Sequence, residues 1–198
     1  SAGEIFRRSA LSLNLPPGID TLQHVLQLIC SHTLYPGPCL AELSSFQLVD
    51  LLSLNPVDLV SYSIQAAANR ADEALDLASR LASAGGRNDL EDQSAGDCVD
   101  LMSDAKDELD AVVSKLSSMQ GISSIDSLRS SLQDVKAWMS SAMSYQAACS
   151  DGFELVPGSA TWSQMQSNQE YLAQVMGNGF TLVDALAQVG GDLGTWIS

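Results

Sequence analysis

The chain has 198 residues, 45% of them hydrophobic and 6% aromatic. That is enough apolar material for one domain with a core, and it excludes a disordered chain. The formal net charge of −15, from 24 acidic and 9 basic residues, excludes nucleic acid and anionic membranes as partners. It predicts weak affinity for acidic polysaccharide and attraction to a basic protein.

Residues 1–19 read as an irregular segment ending at Pro16-Pro17-Gly18. Asp20-Thr21 then offers an N-cap to a short helix with Leu22, Val25, Leu26 and Ile29 on one face. A loop at Tyr35–Pro38, broken by Pro36 and Pro38, leads to a second short helix at about 39–53, with Leu40, Leu43, Phe46 and Leu51 apolar. The two form a helical hairpin over 20–53. Asn55-Pro56 next supplies a cap and a first-turn proline. Val60, Ile64, Ala67, Ala71, Ala74, Ala78 and Leu81 follow at alternating spacings of four and three, the seam of a packed helix. Ser83–Gly86 ends it.

The third long stretch repeats the seam with Cys98, Met102, Ala105, Leu109, Val112, Leu116 and Met119, and Cys98 is read as its opening. The fourth carries Ile125, Leu128, Leu132, Val135, Met139, Ala142, Gln146 and Cys149, and stops at Asp151-Gly152. The last holds Asn168, Leu172, Val175, Gly179, Leu182, Leu186 and Val189 in one phase across Gly177-Asn178-Gly179. A loop there would reset the phase, so the segment reads as one helix with Gly179 permitting close approach. The expected fold is all-α: an up-and-down four-helix bundle over 55–190 preceded by the hairpin, with a tail at 191–198.

Four cysteines allow three pairings. Cys30 and Cys39 flank the hairpin loop, while Cys98 and Cys149 fall at the same end of two antiparallel helices. Pairing Cys30 with Cys39 and Cys98 with Cys149 is therefore expected. Such bridges persist in an oxidising compartment, which predicts a secreted protein. The chain opens Ser1-Ala2-Gly3-Glu4 and reads as a mature or trimmed form lacking its leader. None of its six Asn residues stands in Asn-x-Ser/Thr, so N-glycosylation is not expected. No stretch is apolar enough to span a bilayer.

No nucleophile–base arrangement, phosphate-binding glycine loop or cofactor motif appears, and no hydrolase activity is expected. His24 and His32 are the two histidines. His32 lies near Cys30 and Cys39, but a zinc set of four ligands is lacking once both thiols are bridged. The acidic residues Asp97, Asp100, Asp104 and Asp107 recur at three, four and three, which places them on one outward helix face. Such a face is either simply solvated or a docking stripe for a basic cleft.

These residues resemble the plant invertase and pectin methylesterase inhibitor domain. The resemblance spans 20–190. It rests on Ile29-Cys30-Ser31-His32-Thr33-Leu34-Tyr35-Pro36 with Cys39, on Asp97-Cys98 and the acidic helix after it, and on Trp138–Met143 with Cys149-Ser150-Asp151-Gly152-Phe153. Met176-Gly177-Asn178-Gly179 adds to it. It implies a four-helix bundle with an N-terminal hairpin and the same disulfide pairing. It also implies inhibition of a pectin methylesterase in the plant cell wall, with bundle helices covering the enzyme's substrate cleft.

The contact positions implied for that partner are Asp100, Asp104, Asp107 and Asp151, all acidic here. The position before the fourth cysteine, usually Thr, is Ala148. The Pro-Lys-Phe motif associated with the invertase branch is missing. Gly194-Thr195-Trp196-Ile197-Ser198 resembles the segment before the dibasic processing site of esterase precursors; the chain is then either a free inhibitor or, as that resemblance implies, a pro-region with an intramolecular catalytic domain after Ser198. The alternatives are an inhibitor of acid invertase on the same fold, or a secreted ligand-carrying bundle, against which the alanine-rich seams count.

Overall fold

The computed structural model describes residues 21–46, 56–119, 122 and 124–188. Among these residues the chain is helical throughout, with no strand. Six α-helices follow in order: α1 (Leu22–Ser31), α2 (Pro36–Ser45), α3 (Pro56–Ala84), α4 (Asp89–Ser118), α5 (Ile125–Gly152) and α6 (Ala160–Gln188). A 3-10 turn, Phe153–Leu155, joins α5 to the link before α6. The four long helices pack as a ring, each against its sequence neighbours and α3 against α6. The hairpin of α1 and α2 lies against α3 and α6.

Helix α1 starts where Thr21 caps it, the hydroxyl accepting from the His24 N–H at 3.2 Å. Its partner differs from expectation. Pro36 and Pro38 do not break the chain before a helix at 39; they lie in the first turn of α2. The first amides of a helix have no partner inside it, and proline's fixed φ suits that position. Phe46 is already extended at the end of α2, so the helix stops well short of 53. Leu51 and Asn55 lie outside the described residues, as do the segment 1–19 and the tail 191–198.

The second correction is the start of α4. Cys98 does not open this helix: Asn88 caps it, its side chain accepting from the Glu91 N–H at 2.9 Å, and Cys98 follows more than two turns later. The link before it turns on Gly85 and Gly86, whose φ of 53° and 79° are left-handed and favour glycine.

The seam residues are the core. Ala67, Ala71, Ala74 and Ala78 of α3 are completely buried, as are Met102, Leu109, Leu116, Leu132, Met139 and Leu172 on its partners. Burying such side chains contributes about 1.5–3 kcal/mol each for the larger ones. Two seam assignments fail: Ile125 is exposed at the first turn of α5, and Gln169 rather than Asn168 is the fully buried residue of α6. Gln146 donates to the Gln169 amide oxygen at 3.2 Å, and Gln169 donates to the Met102 sulfur at 3.4 Å. A buried amide pair of this kind is tolerated because each donor finds an acceptor.

Helix α6 runs unbroken through Gly177-Asn178-Gly179, as its phase predicts. A Cβ at Gly179 would stand 2.6 Å from Ile64 Cδ1, so the close approach of α3 and α6 here leaves a side chain room only if Ile64 shifts. Gly177 faces the Tyr35 ring. Asn178 between them is buried and clamps the hairpin. Its Oδ1 accepts from the Tyr35 N–H at 2.9 Å, and its Nδ2 donates to the Tyr35 carbonyl at 2.8 Å.

Candidate protein-docking face

Both expected disulfides are present, Cys30–Cys39 with Cα atoms 5.5 Å apart and Cys98–Cys149 with Cα atoms 4.7 Å apart. The second fixes the register of α4 against α5. On either side of it, Ser94 donates to the Gly152 carbonyl at 3.1 Å and Lys115 lies 3.3 Å from Asp134. These three ties define an antiparallel pair in which Asp151 comes level with Gly96 and Asp97.

Asp97, Asp100, Asp104 and Asp107 are all exposed, and the stripe from first to last runs about 15 Å along the helix axis. Asp104, Asp107 and Glu108 border a shallow depression together with Tyr145 of α5. The stripe therefore occupies the shoulder of α4 that turns toward α5. Ala148 and Asp151 are exposed near the same bridge, on α5. The structure thus brings all five sequence-predicted contact positions onto the α4–α5 side of the bundle, with Ala148 adding no polar atom.

The stripe is poor in cations. Helix α4 carries nine acidic and two basic residues. Of the latter, Lys106 pairs with Asp110 at 2.6 Å and Lys115 faces Asp134. The hydrogen bond to Asp110, helped by the nearby charges of Asp110, Asp72 and Asp107 and opposed by burial, raises the Lys106 ammonium above its ordinary pKa. Among the described residues, no hydrogen bond or ion pair engages the carboxylates of Asp100, Asp104, Asp107 or Asp151.

Other carboxylates are treated differently. Glu42 of α2 accepts from Arg70 Nε at 3.0 Å and from the Tyr171 hydroxyl at 2.8 Å, tying the hairpin to α3 and α6. Burial, and then the bond to Glu42, raises the Tyr171 phenol. Glu91 sits at the N-terminus of α6, where it accepts from the Thr161 N–H at 3.0 Å and the Ser159 hydroxyl at 2.7 Å. The Thr161 amide, followed by Ser159, holds Glu91 below the usual carboxylate range, as expected of an anion at a helix start. Sequence reading passed over both. The spacing Asn88-x-x-Glu91 is that of a capping box, which signals the helix start it missed.

Among the described residues no group of three or more His, Cys, Asp or Glu side chains is arranged to hold a metal ion, and no helix is long and apolar enough to cross a membrane. The fold is a disulfide-stapled four-helix bundle with an exposed acidic shoulder. The family model of the plant invertase/pectin methylesterase inhibitor matches residues 24–182. The chain belongs to this inhibitor family.

Pectinesterase inhibitor 3 of Arabidopsis thaliana is 23% identical over 170 residues, covering 85% of this chain and 82% of that protein. A probable pectinesterase/pectinesterase inhibitor 13 from the same plant is 30% identical over 131 residues, 66% of this chain. The chain spans 20% of the length of that larger relative. A crystal structure of a mutant pectin methylesterase inhibitor from Arabidopsis superposes with a TM-score of 0.61 at 18% identity, over 79% of this chain and 93% of that one. At that identity it speaks for the fold, a helical bundle of the same kind.

Proposed function

We propose that this chain inhibits a pectin methylesterase by laying the Asp100, Asp104 and Asp107 face, with Asp151, over the enzyme's substrate cleft. The observation that carries this reading is the row of exposed carboxylates that, among the described residues, make no hydrogen bond or ion pair, held by the Cys98–Cys149 bridge on one side of the bundle. Like charges at these spacings cost the isolated helix a few tenths of a kcal/mol per pair. A basic cleft would offset that cost and gain from complementarity. Ala148, at the same end, offers packing where a hydroxyl would offer a hydrogen bond.

The domain serves as a free inhibitor or as the inhibitory pro-region of an esterase precursor, secreted to the cell wall. Relatives of both designs support that pair of readings, since one is titled an inhibitor alone and another joins esterase and inhibitor. The test is inhibition of purified pectin methylesterase at increasing pectin and increasing salt. Inhibition that is competitive with pectin and weakens as salt shortens the Debye length below about 10 Å supports the reading. Salt-independent inhibition, or inhibition that pectin does not relieve, contradicts it.

A further inference from the structure

Beyond the end of the stripe, where α5 gives way to the 3-10 turn, the surface forms a second depression. Ser150, Asp151, Phe153, Glu154, Pro157 and Trp162 line it. Asp151 and Glu154 stand three residues apart in a continuous helical path, so their carboxylates share one side of it. Both are exposed, and among the described residues neither makes a hydrogen bond or ion pair. Trp162 also lines the depression, partly buried, its ring stacked on the buried Phe153 with centroids 5.4 Å apart.

Two carboxylates and an indole lining one depression supply both things that a cationic side chain seeks, opposite charge and a π face. From these residues we infer that the notch between Asp151, Glu154 and Trp162 receives one basic side chain of the partner protein, an arginine in preference to a lysine. A planar guanidinium stacks on Trp162 while its edge pairs with a carboxylate, which an ammonium does less well. This inference rests on the docking reading above and extends it past the stripe. Glu154 and Trp162 join the contact set, and the partner must present a protruding basic side chain beside the region that meets the stripe.

Trp162 is held firmly for this purpose. Its backbone N–H donates to the Ser159 hydroxyl at 3.0 Å, and that hydroxyl donates to Glu91. The stacked Phe153 fixes the ring from behind. The notch therefore exists before a partner arrives, which limits the ordering cost of binding.

The test is the affinity of the chain for purified pectin methylesterase, measured for wild type, Glu154→Gln and Trp162→Leu, with the Trp162 indole N–H followed by NMR. Glu154 is exposed and bonds to nothing in the fold, so Glu154→Gln keeps its stability and serves as the clean variant. The expected result is a Glu154→Gln dissociation constant raised about tenfold, the loss of one charged hydrogen bond. Movement of the Trp162 indole resonance in the wild-type complex is also expected. Wild-type affinity in Glu154→Gln, with the indole unmoved, overturns the notch while leaving the stripe standing. Failure of wild type to bind the esterase at all overturns the docking reading and the notch with it. A shift of the indole in the free chain on adding millimolar calcium would make the notch a metal site and overturn the assignment.

Discussion

The hairpin junction and the α4–α5 shoulder hold carboxylates of the same chemistry in opposite conditions. At the junction, Glu42 is nine-tenths buried and bonded by Arg70 and Tyr171, while Asn178 satisfies both backbone groups of Tyr35. At the shoulder, Asp100, Asp104 and Asp107 face solvent, and each adds to the repulsion along its own helix. Polar groups at the junction stabilise the fold because each donor and acceptor is paired. Among the described residues, those on the shoulder make no such pairs, and in the docking reading proposed above they meet cations of a partner. In that reading, folding and recognition are separable by substitution in this domain.

The sharpest break of that contrast is at Asn178. Asn178→Ala leaves the Tyr35 N–H without a partner, while the Tyr35 carbonyl keeps the Cys39 N–H at 3.1 Å; a loss of about 2–3 kcal/mol is expected, about 1–3 for the unpaired amide and about 1 for the second bond lost. Chemical denaturation checks it. A loss below 1 kcal/mol would mean the hairpin is held elsewhere. Glu42→Ala strips a charged partner from Arg70 and Tyr171 and is expected to cost about 2 kcal/mol, less than a fully buried pair because Arg70 keeps Glu73 at 2.7 Å. Asp104→Ala in the same assay is expected to be neutral or slightly stabilising, by a few tenths of a kcal/mol. Equal losses for Glu42→Ala and Asp104→Ala would erase the distinction between the two regions.

A smaller effect is in the pH dependence. Glu91 has a folded pKa held below its ordinary value of 4.5 by the Thr161 amide and the Ser159 hydroxyl. Its contribution is therefore fully present above the unfolded pKa and is lost as pH falls through the folded one. Wild type should lose stability over that acid range more steeply than Glu91→Gln, as read from thermal unfolding at a series of pH values. Parallel curves for the two proteins would remove Glu91 from the structural group.

Much of the fold is legible in the sequence because helix packing writes itself as a period. The alternating three and four spacing carries straight through Gly177-Asn178-Gly179, and the helix does too. The cysteine pairing follows from the same seams. What escapes is set by polar residues standing at seam positions. Glu91 occupies a core position of α4, and only its partnership with the start of α6 explains why a carboxylate is buried there. The eye therefore begins the helix too late, at Cys98. Pro36 and Pro38 likewise read as a break where they are a helix start.

The acidic stripe is visible in the sequence because it lies on one helix. The Asp151, Glu154 and Trp162 notch is not, since it forms only when α6 returns beside the 3-10 turn. Asn178 shows the same limit: nothing in its neighbours names Tyr35, 143 residues earlier, as its partner.

The central claim, that the free carboxylates of α4 exist for a partner, is tested most directly by charge reversal. Asp100→Lys with Asp104→Lys is titrated against purified pectin methylesterase beside wild type, and thermal unfolding of both chains is recorded. The account predicts that the double variant unfolds at or above the wild-type temperature and fails to inhibit the enzyme at concentrations where wild type inhibits fully. Inhibition at wild-type potency by the folded double variant would contradict it.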